Sequence, residues 1–163
     1  MSENNKHTAL IPSKNIADEA GKRNAPKSAR KGEPLLHMTE DMRRLSTPWA
    51  ISMARAKQIE ASDLPAGVIL DAAAGSGAQL IALATELKRP ALGIELDGNI
   101  AVLCAANMHI ASDGDQIQRT LDRVIIGDGS DAEGAITAYW NSLRKSGTRA
   151  HPPIAMLHLD PAR

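Results

Sequence analysis

Hydrophobic positions follow two regimes along the chain. Through residues 1–46 they are sparse, and residues 22–34 in particular show neither a helical nor a strand period. That pattern predicts a disordered, mildly basic tail over 1–46 and a folded domain over 47–163. From Thr47 the spacing tightens. Thr47 followed by Pro48 fits an N-cap with proline at the first helical position, predicting a helix to about residue 59. Pro65 and Gly67 break it. Val68, Ile69 and Leu70 form a short buried run closed by Asp71. Gly75 and Gly77 then turn the chain into a helix carrying Leu80, Ile81, Leu83, Ala84 and Leu87, which Pro90 ends. Residues 91–94 predict a second strand, followed by Glu95 and a helix marked by Ile100, Leu103, Cys104, Asn107 and Met108. After a polar stretch over 112–118, residues 124–126 predict a third strand, with Asp128 just beyond it. Ala135, Ile136, Tyr139, Trp140 and Leu143 repeat as a helical core stripe, stopped by Gly147. A fourth strand over 154–159 runs into Asp160.

Strands that are nearly all apolar, alternating with helices, predict an α/β fold with a Rossmann-like, doubly wound parallel sheet. In such sheets ligands bind beyond the carboxyl ends of the strands, where the strand order reverses. Each of the four strands here ends within two residues of a carboxylate: Asp71, Glu95, Asp128 and Asp160.

Composition narrows the classes. The 19 basic and 19 acidic side chains exclude a globally basic nucleic-acid binder and a polyacidic protein alike. The charge is unevenly divided, with nine basic and six acidic residues before residue 47. The early segment is therefore either a solvated tail or a basic arm for RNA phosphates. With only Trp49, Tyr139 and Trp140 as aromatics, a surface that stacks bases on several rings is excluded. The single Cys104 excludes a disulfide scaffold and suits a reducing, cytoplasmic location. No run approaches the roughly 18 apolar residues of a membrane span, and the polar start lacks a signal-peptide core.

The first strand–helix turn, from Asp71 to Leu80, carries the candidate chemistry. As a dinucleotide fingerprint it lacks the third glycine, replaced by Leu80, and Asp71 would repel a pyrophosphate. No Gly-Lys-Ser/Thr follows, so it is not a P-loop. An amino-acid end suits it better, with the carboxylate on backbone N–H groups and the ammonium on acidic or carbonyl oxygen. Glu95, at the second strand end, can accept both hydroxyls of a ribose. Asp128 can accept from an exocyclic adenine amine. These three parts together describe S-adenosylmethionine.

At this point the chain resembles the class I S-adenosylmethionine-dependent methyltransferases. Asp71-Ala-Ala-Ala-Gly-Ser-Gly77 is similar to their first motif, with Ala73 in place of its first glycine. Gly93-Ile-Glu-Leu-Asp97 resembles the second, Ile126-Gly-Asp128 the third and Leu159-Asp-Pro-Ala-Arg163 the fourth. The likeness covers residues 47–163 and implies that Asp71, Ala73, Gly75 and Gly77 line the methionine end, Glu95 the ribose and Asp128 the adenine. In the fourth motif it implies catalytic roles for Asp160 and Pro161, Asp160 holding or partly deprotonating the acceptor. Amino-group methyltransferases carry a second proline and an aromatic ring there; this chain has Ala162 and Arg163. Asp-Pro-Ala-Arg looks most like the RNA methyltransferases related to THUMP-like and trimethylguanosine-synthase proteins, which implies RNA as acceptor. A small-molecule or protein methyltransferase, or a non-catalytic cofactor-binding module, remain the alternatives. The family's sheet has seven strands against the four expected here, so the reading includes a sheet truncated after the fourth strand, or one completed by another chain. His158 is expected to be a core histidine, Cys104 a buried thiol, and Tyr139 and Trp140 core residues. His37, His109 and His151 lack metal-ligand spacing.

Overall fold

A computed structural model describes residues 6–60, 64–112 and 119–160. The chain forms an α/β fold around one five-stranded, mostly parallel sheet. Its elements, in order, are β1 (Thr8–Leu10), α1 (Lys14–Arg23), α2 (Glu40–Leu45), α3 (Trp49–Glu60), β2 (Val68–Asp71), α4 (Ala78–Leu87), β3 (Ala91–Glu95), α5 (Gly98–Ile110), β4 (Arg123–Ile126), α6 (Ala132–Lys145) and β5 (Ile154–His158). The strand order is β1-β4-β3-β2-β5. β2, β3, β4 and β5 run parallel, and β1 alone is antiparallel, pairing Thr8 with Ile126 and Leu10 with Val124. The four expected strands are present within a residue or so of their expected limits. The chain steps outward from β2 to β3 and β4, then returns to place β5 on the other side of β2.

Because the central strands are apolar on both faces, both faces must be covered. On one face Ile69, Ala91 and Val124 pack with Leu80, Ile81 and Leu83 of α4 and Ala101, Cys104, Ala105 and Met108 of α5. On the other, Val68, Leu70, Leu92, Ile94 and Ile125 meet Ala135, Tyr139 and Leu143 of α6. The stripe read from the sequence of α6 is thus a core face, with Tyr139 fully buried and donating its hydroxyl to the carbonyl of Leu121. Asp131 caps this helix on the Gly134 N–H, and Gly147, at a φ of 82°, follows its end.

The expected disordered tail, and with it a domain boundary at residue 46, is corrected for residues 6–46. These residues fold onto the same sheet. β1 adds a strand beside β4, and Ala20 of α1 packs on Leu103 and Ala106 of α5. Two hydroxyls start the helices: Ser13 accepts from the Ile16 N–H and Thr39 from the Met42 N–H. Residues 36–38 dive into the core, and Leu36, His37 and Met38 are all buried. Asn107, fully buried on α5, locks this segment down. Its amide donates to the carbonyls of His37 and Ser76 and accepts from the His37 N–H at 2.6–2.8 Å.

β5 lies at the outer edge, with β2 as its partner and Leu157 59% exposed. The polar stretch expected over 112–118 lies, from residue 113, outside the described residues. Among the described residues no helix is long and apolar enough to cross a membrane.

Candidate functional site

The turn after β2 is built by two glycines. Gly75 has a φ of 52° and Gly77 a φ of 79°, conformations that cost an L side chain strain. Gly77 is also sterically required, since a Cβ there would lie 2.8 Å from Cys104 Sγ. The Gly77 N–H closes the turn on the Ala74 carbonyl, and the Gly77 carbonyl accepts from the Ile81 N–H, starting α4. Gly75 faces the other way, with nothing within 4 Å of where its Cβ would be. The turn is therefore packed from below by the Cys104 thiol and open above. Burial pushes that thiol far up, with the charges of Asp71 and Glu95 adding to the effect, so it stays protonated and inert.

Two of the four strand-end carboxylates, Asp71 and Glu95, hydrogen-bond this turn; Asp160 reaches Gln79 just beyond it, and the Asp128 segment packs against it through backbone. Asp71, 3% exposed, accepts the Ala73 N–H through Oδ1 at 3.0 Å. Glu95 reaches across from β3, its Oε2 accepting the Gly75 N–H at 3.0 Å and its Oε1 the Asp97 N–H at 2.9 Å. The Asp128 loop presses on the turn through its neighbour Gly129, whose Cα sits so close to the Ala72 carbonyl that a side chain would collide with it. Asp160 accepts from Gln79 Nε2 at 2.8 Å, in the first turn of α4. Ala73, Gly75 and Gly77 thus lie at the centre, with Asp71, Glu95, Asp128 and Asp160 around them. Pro161, expected as Asp160's catalytic neighbour, lies with Ala162 and Arg163 outside the described residues.

Each carboxylate has a local role as well. Asp128 is exposed; its Oδ1 accepts the Ser130 N–H at 2.8 Å, which holds its carboxyl below the usual carboxylate range. Asp131 in the same loop takes a hydrogen bond from His7 Nε2 at 2.8 Å, fixing the start of β1 beside the loop. The Glu95 oxygens likewise serve backbone N–H groups, each keeping a second lone pair for a ligand.

Two participants were missed from the sequence. Gln79 is a junction: its Nε2 also donates to Thr47 Oγ1 at 3.0 Å, and its Oε1 accepts from Arg55 Nη1 at 3.2 Å. The Thr47 hydroxyl, expected to cap α3, thus ties the start of α3 to α4. His158, expected in the core, instead binds Asp71 Oδ2 through Nδ1 at 3.1 Å and keeps 17% of its side chain exposed. A carboxylate only accepts, so this bond puts the proton of a neutral ring on Nδ1. The hydrogen bond to Asp71 also raises the histidine above its usual range. Gln79 and His158 contribute to a cavity of about 220 Å³ between α3 and α4, completed by Ser52, Arg55, Gln58, Ile59 and Leu83. Arg55 and Asp160 stand 3.8 Å apart at this place. The only signals in the sequence were the position of His158 two residues before Asp160 and of Gln79 two after Gly77. Neither marks a site on its own.

Among the described residues no group of three or more His, Cys, Asp or Glu could hold a metal ion. No protein-family model matches the chain, and neither a curated protein nor a solved structure matches it.

Proposed function

We propose that the chain binds S-adenosylmethionine across the turn after β2 and serves methyl transfer, with RNA as the acceptor class. The observation that carries this reading is the convergence of Asp71, Glu95 and Asp160 on residues 73–79, with the loop that carries Asp128 packed beside them through Gly129. The order of the four parallel strands, reversing beside β2, supports a Rossmann-like, doubly wound sheet with β1 added to it. That reversal is where such sheets bind ligands.

The residues present fit the cofactor. The space above Gly75 admits a ligand to the backbone, and the rim is acidic, which suits a ligand carrying a sulfonium and an ammonium. Asp71 and the backbone of Ala73, Gly75 and Gly77 would hold the methionine end, Glu95 the ribose hydroxyls and Asp128 the adenine amine. The cofactor supplies an already electrophilic methyl carbon. The chain's task is therefore positioning: Asp160, braced by Gln79 and Arg55, would hold the acceptor in line.

RNA is supported by the folded N-terminal segment. Lys22, Arg23, Lys27, Arg30 and Lys31 are exposed along ten residues that contain no acidic side chain. Such a run suits phosphate contacts. The buried, unpaired Cys104 suits a cytoplasmic, reducing compartment.

The test is thermal unfolding of the purified chain with S-adenosylhomocysteine. At about 100 times its Kd the ligand adds roughly 2.7 kcal/mol, a rise of several degrees. Glu95→Ala should abolish the rise. A cooperative melt without any shift would sink the cofactor assignment. For RNA, replacing Lys27, Arg30 and Lys31 by Ala should weaken binding and flatten its salt dependence.

A further inference from the structure

The cavity between α3 and α4 holds an imidazole with one nitrogen committed and the other free. His158 Nδ1 donates to Asp71 Oδ2, and the ring contributes to the cavity wall with Arg55, Gln58 and Gln79. Among the described residues Nε2 has no protein partner. Asp160, the neighbouring carboxylate, is differently placed: its Oδ2 already accepts from Gln79 and lies 3.8 Å from the Arg55 guanidinium. A proton on that oxygen would displace the hydrogen bond and face a cation. At His158 a proton would instead complete an imidazolium–carboxylate pair with Asp71.

We propose that His158 is the proton acceptor for a group bound in this cavity, with Asp71 fixing its tautomer and Asp160 positioning the group. This rests on the methyl-transfer reading above. The lone pair of the acceptor's nitrogen or oxygen forms the new bond to the methyl carbon. The methyl–sulfur bond breaks, leaving its electron pair on sulfur as the thioether. The acceptor's proton passes to His158 Nε2 and from there to solvent. The wall chemistry specifies the acceptor class. The Gln58 and Gln79 amides offer both donors and acceptors, Arg55 a flat cation, and Ile59 and Leu83 apolar sides. That lining suits the polar edge of a planar N–H acid such as a nucleobase. The charged groups facing the ring are Asp71 on β2, Asp160 after β5 and Arg55 on α3. Of these the Asp71 hydrogen bond acts most strongly, and it raises the ring above the usual histidine range.

The test uses the full chain and the reagent diethyl pyrocarbonate, which acylates unprotonated imidazole nitrogen, read at His158 by mass spectrometry across a pH series. The expected result is modification of His158 with half-maximal rate above the ordinary histidine value of 6.5. Asp71→Asn should move that midpoint down, and Gln58→Trp, at an exposed wall position, should block the reaction. An unreactive His158, or a midpoint that Asp71→Asn does not move, overturns the proposal. S-adenosylhomocysteine binding is measured on the same samples. His158→Gln should retain it, while its absence from the unaltered chain overturns the methyl-transfer reading and this proposal together. With unmodified tRNA and rRNA transcripts as probe, His158→Gln should lower transfer about a hundredfold and erase the acid limb of the rate profile. Transfer that survives His158→Gln undiminished overturns the proton-acceptor role and leaves the cofactor reading standing.

Discussion

Asn107 shows how much one side chain can organise. It saturates three backbone groups, belonging to His37 and Ser76, inside a site closed to water. Asn107→Ala should therefore destabilise the chain by at least about 3 kcal/mol, since three buried polar groups are stranded at ~1–3 kcal/mol each. Chemical denaturation measures this, and a loss below ~1 kcal/mol would show that water replaces the amide. Asp122 makes a prediction of the opposite sign. It accepts the Ala91 N–H at 2.8 Å, and burial raises its carboxyl to about 7, against the pull of Arg119 and Arg123. Below about pH 4 both folded and unfolded chains hold the proton and nothing is lost. Between there and pH 7 the unfolded chain releases it first, so stability falls, and above pH 7 the penalty is complete. Asp122→Asn keeps the acceptor oxygen without the charge. It should flatten this slope and add on the order of 2 kcal/mol above pH 7, read from denaturation midpoints at several pH values. Turn chemistry at this scale was legible: Gly75, Gly77 and the four carboxylates are placed by their immediate neighbours in sequence. Gln79 and His158 were not legible, because the partners that give them meaning, Asp160 and Asp71, lie 81 and 87 residues away.

Among the elements, the central helices and strands could be read because each buries a face with its own period. The N-terminal ones could not, because their burial relies on small residues. α1 docks through Ala20, and β1 is three residues long. Three signals were nonetheless present. Ser13 and Thr39 stand where N-caps belong, and α2 carries Glu40 and Asp41 in its first turn and Arg43 and Arg44 in its last, matching the helix dipole. The third signal is indirect: α5 buries residues on nearly every side, from Ala101 to Met108, and so required a cover that 47–163 could not supply. Because β1 makes β4 an interior strand, the amides of 123–126 should exchange with solvent only by large-scale opening. Deleting residues 1–12 should strip protection from β4 while leaving β2 and β3 protected. Unchanged exchange in β4 would mean that β1 is not held there.

At the scale of the whole molecule, the sheet order brings the ends of four parallel strands, separated by up to 89 residues, to one edge of the sheet around the turn after β2, a juxtaposition that periodicity alone does not determine. The alternation of elements was enough to name the α/β class; the antiparallel strand was not, since it comes from outside the periodic region. The balance of 19 basic and 19 acidic groups, with a pI near 7.0, places the electrostatic minimum at neutral pH. Solubility should therefore pass through its lowest value near pH 7 and recover on either side. A minimum displaced by more than about one unit would show that buried groups such as Asp122 dominate the titration.

The pairing of residues 8–10 with 124–126 also sets an order of events during synthesis. A ribosome releases the chain from its N-terminus, so β1 emerges more than a hundred residues before the strand it must join. Until then it has no partner, and the basic segment behind it is exposed to whatever is nearby. Closing that loop is the most distant contact in the sheet and hence its slowest step. β1 therefore waits through the synthesis of β2 and β3 before it can pair, and a nascent chain stalled before β4 would carry it loose.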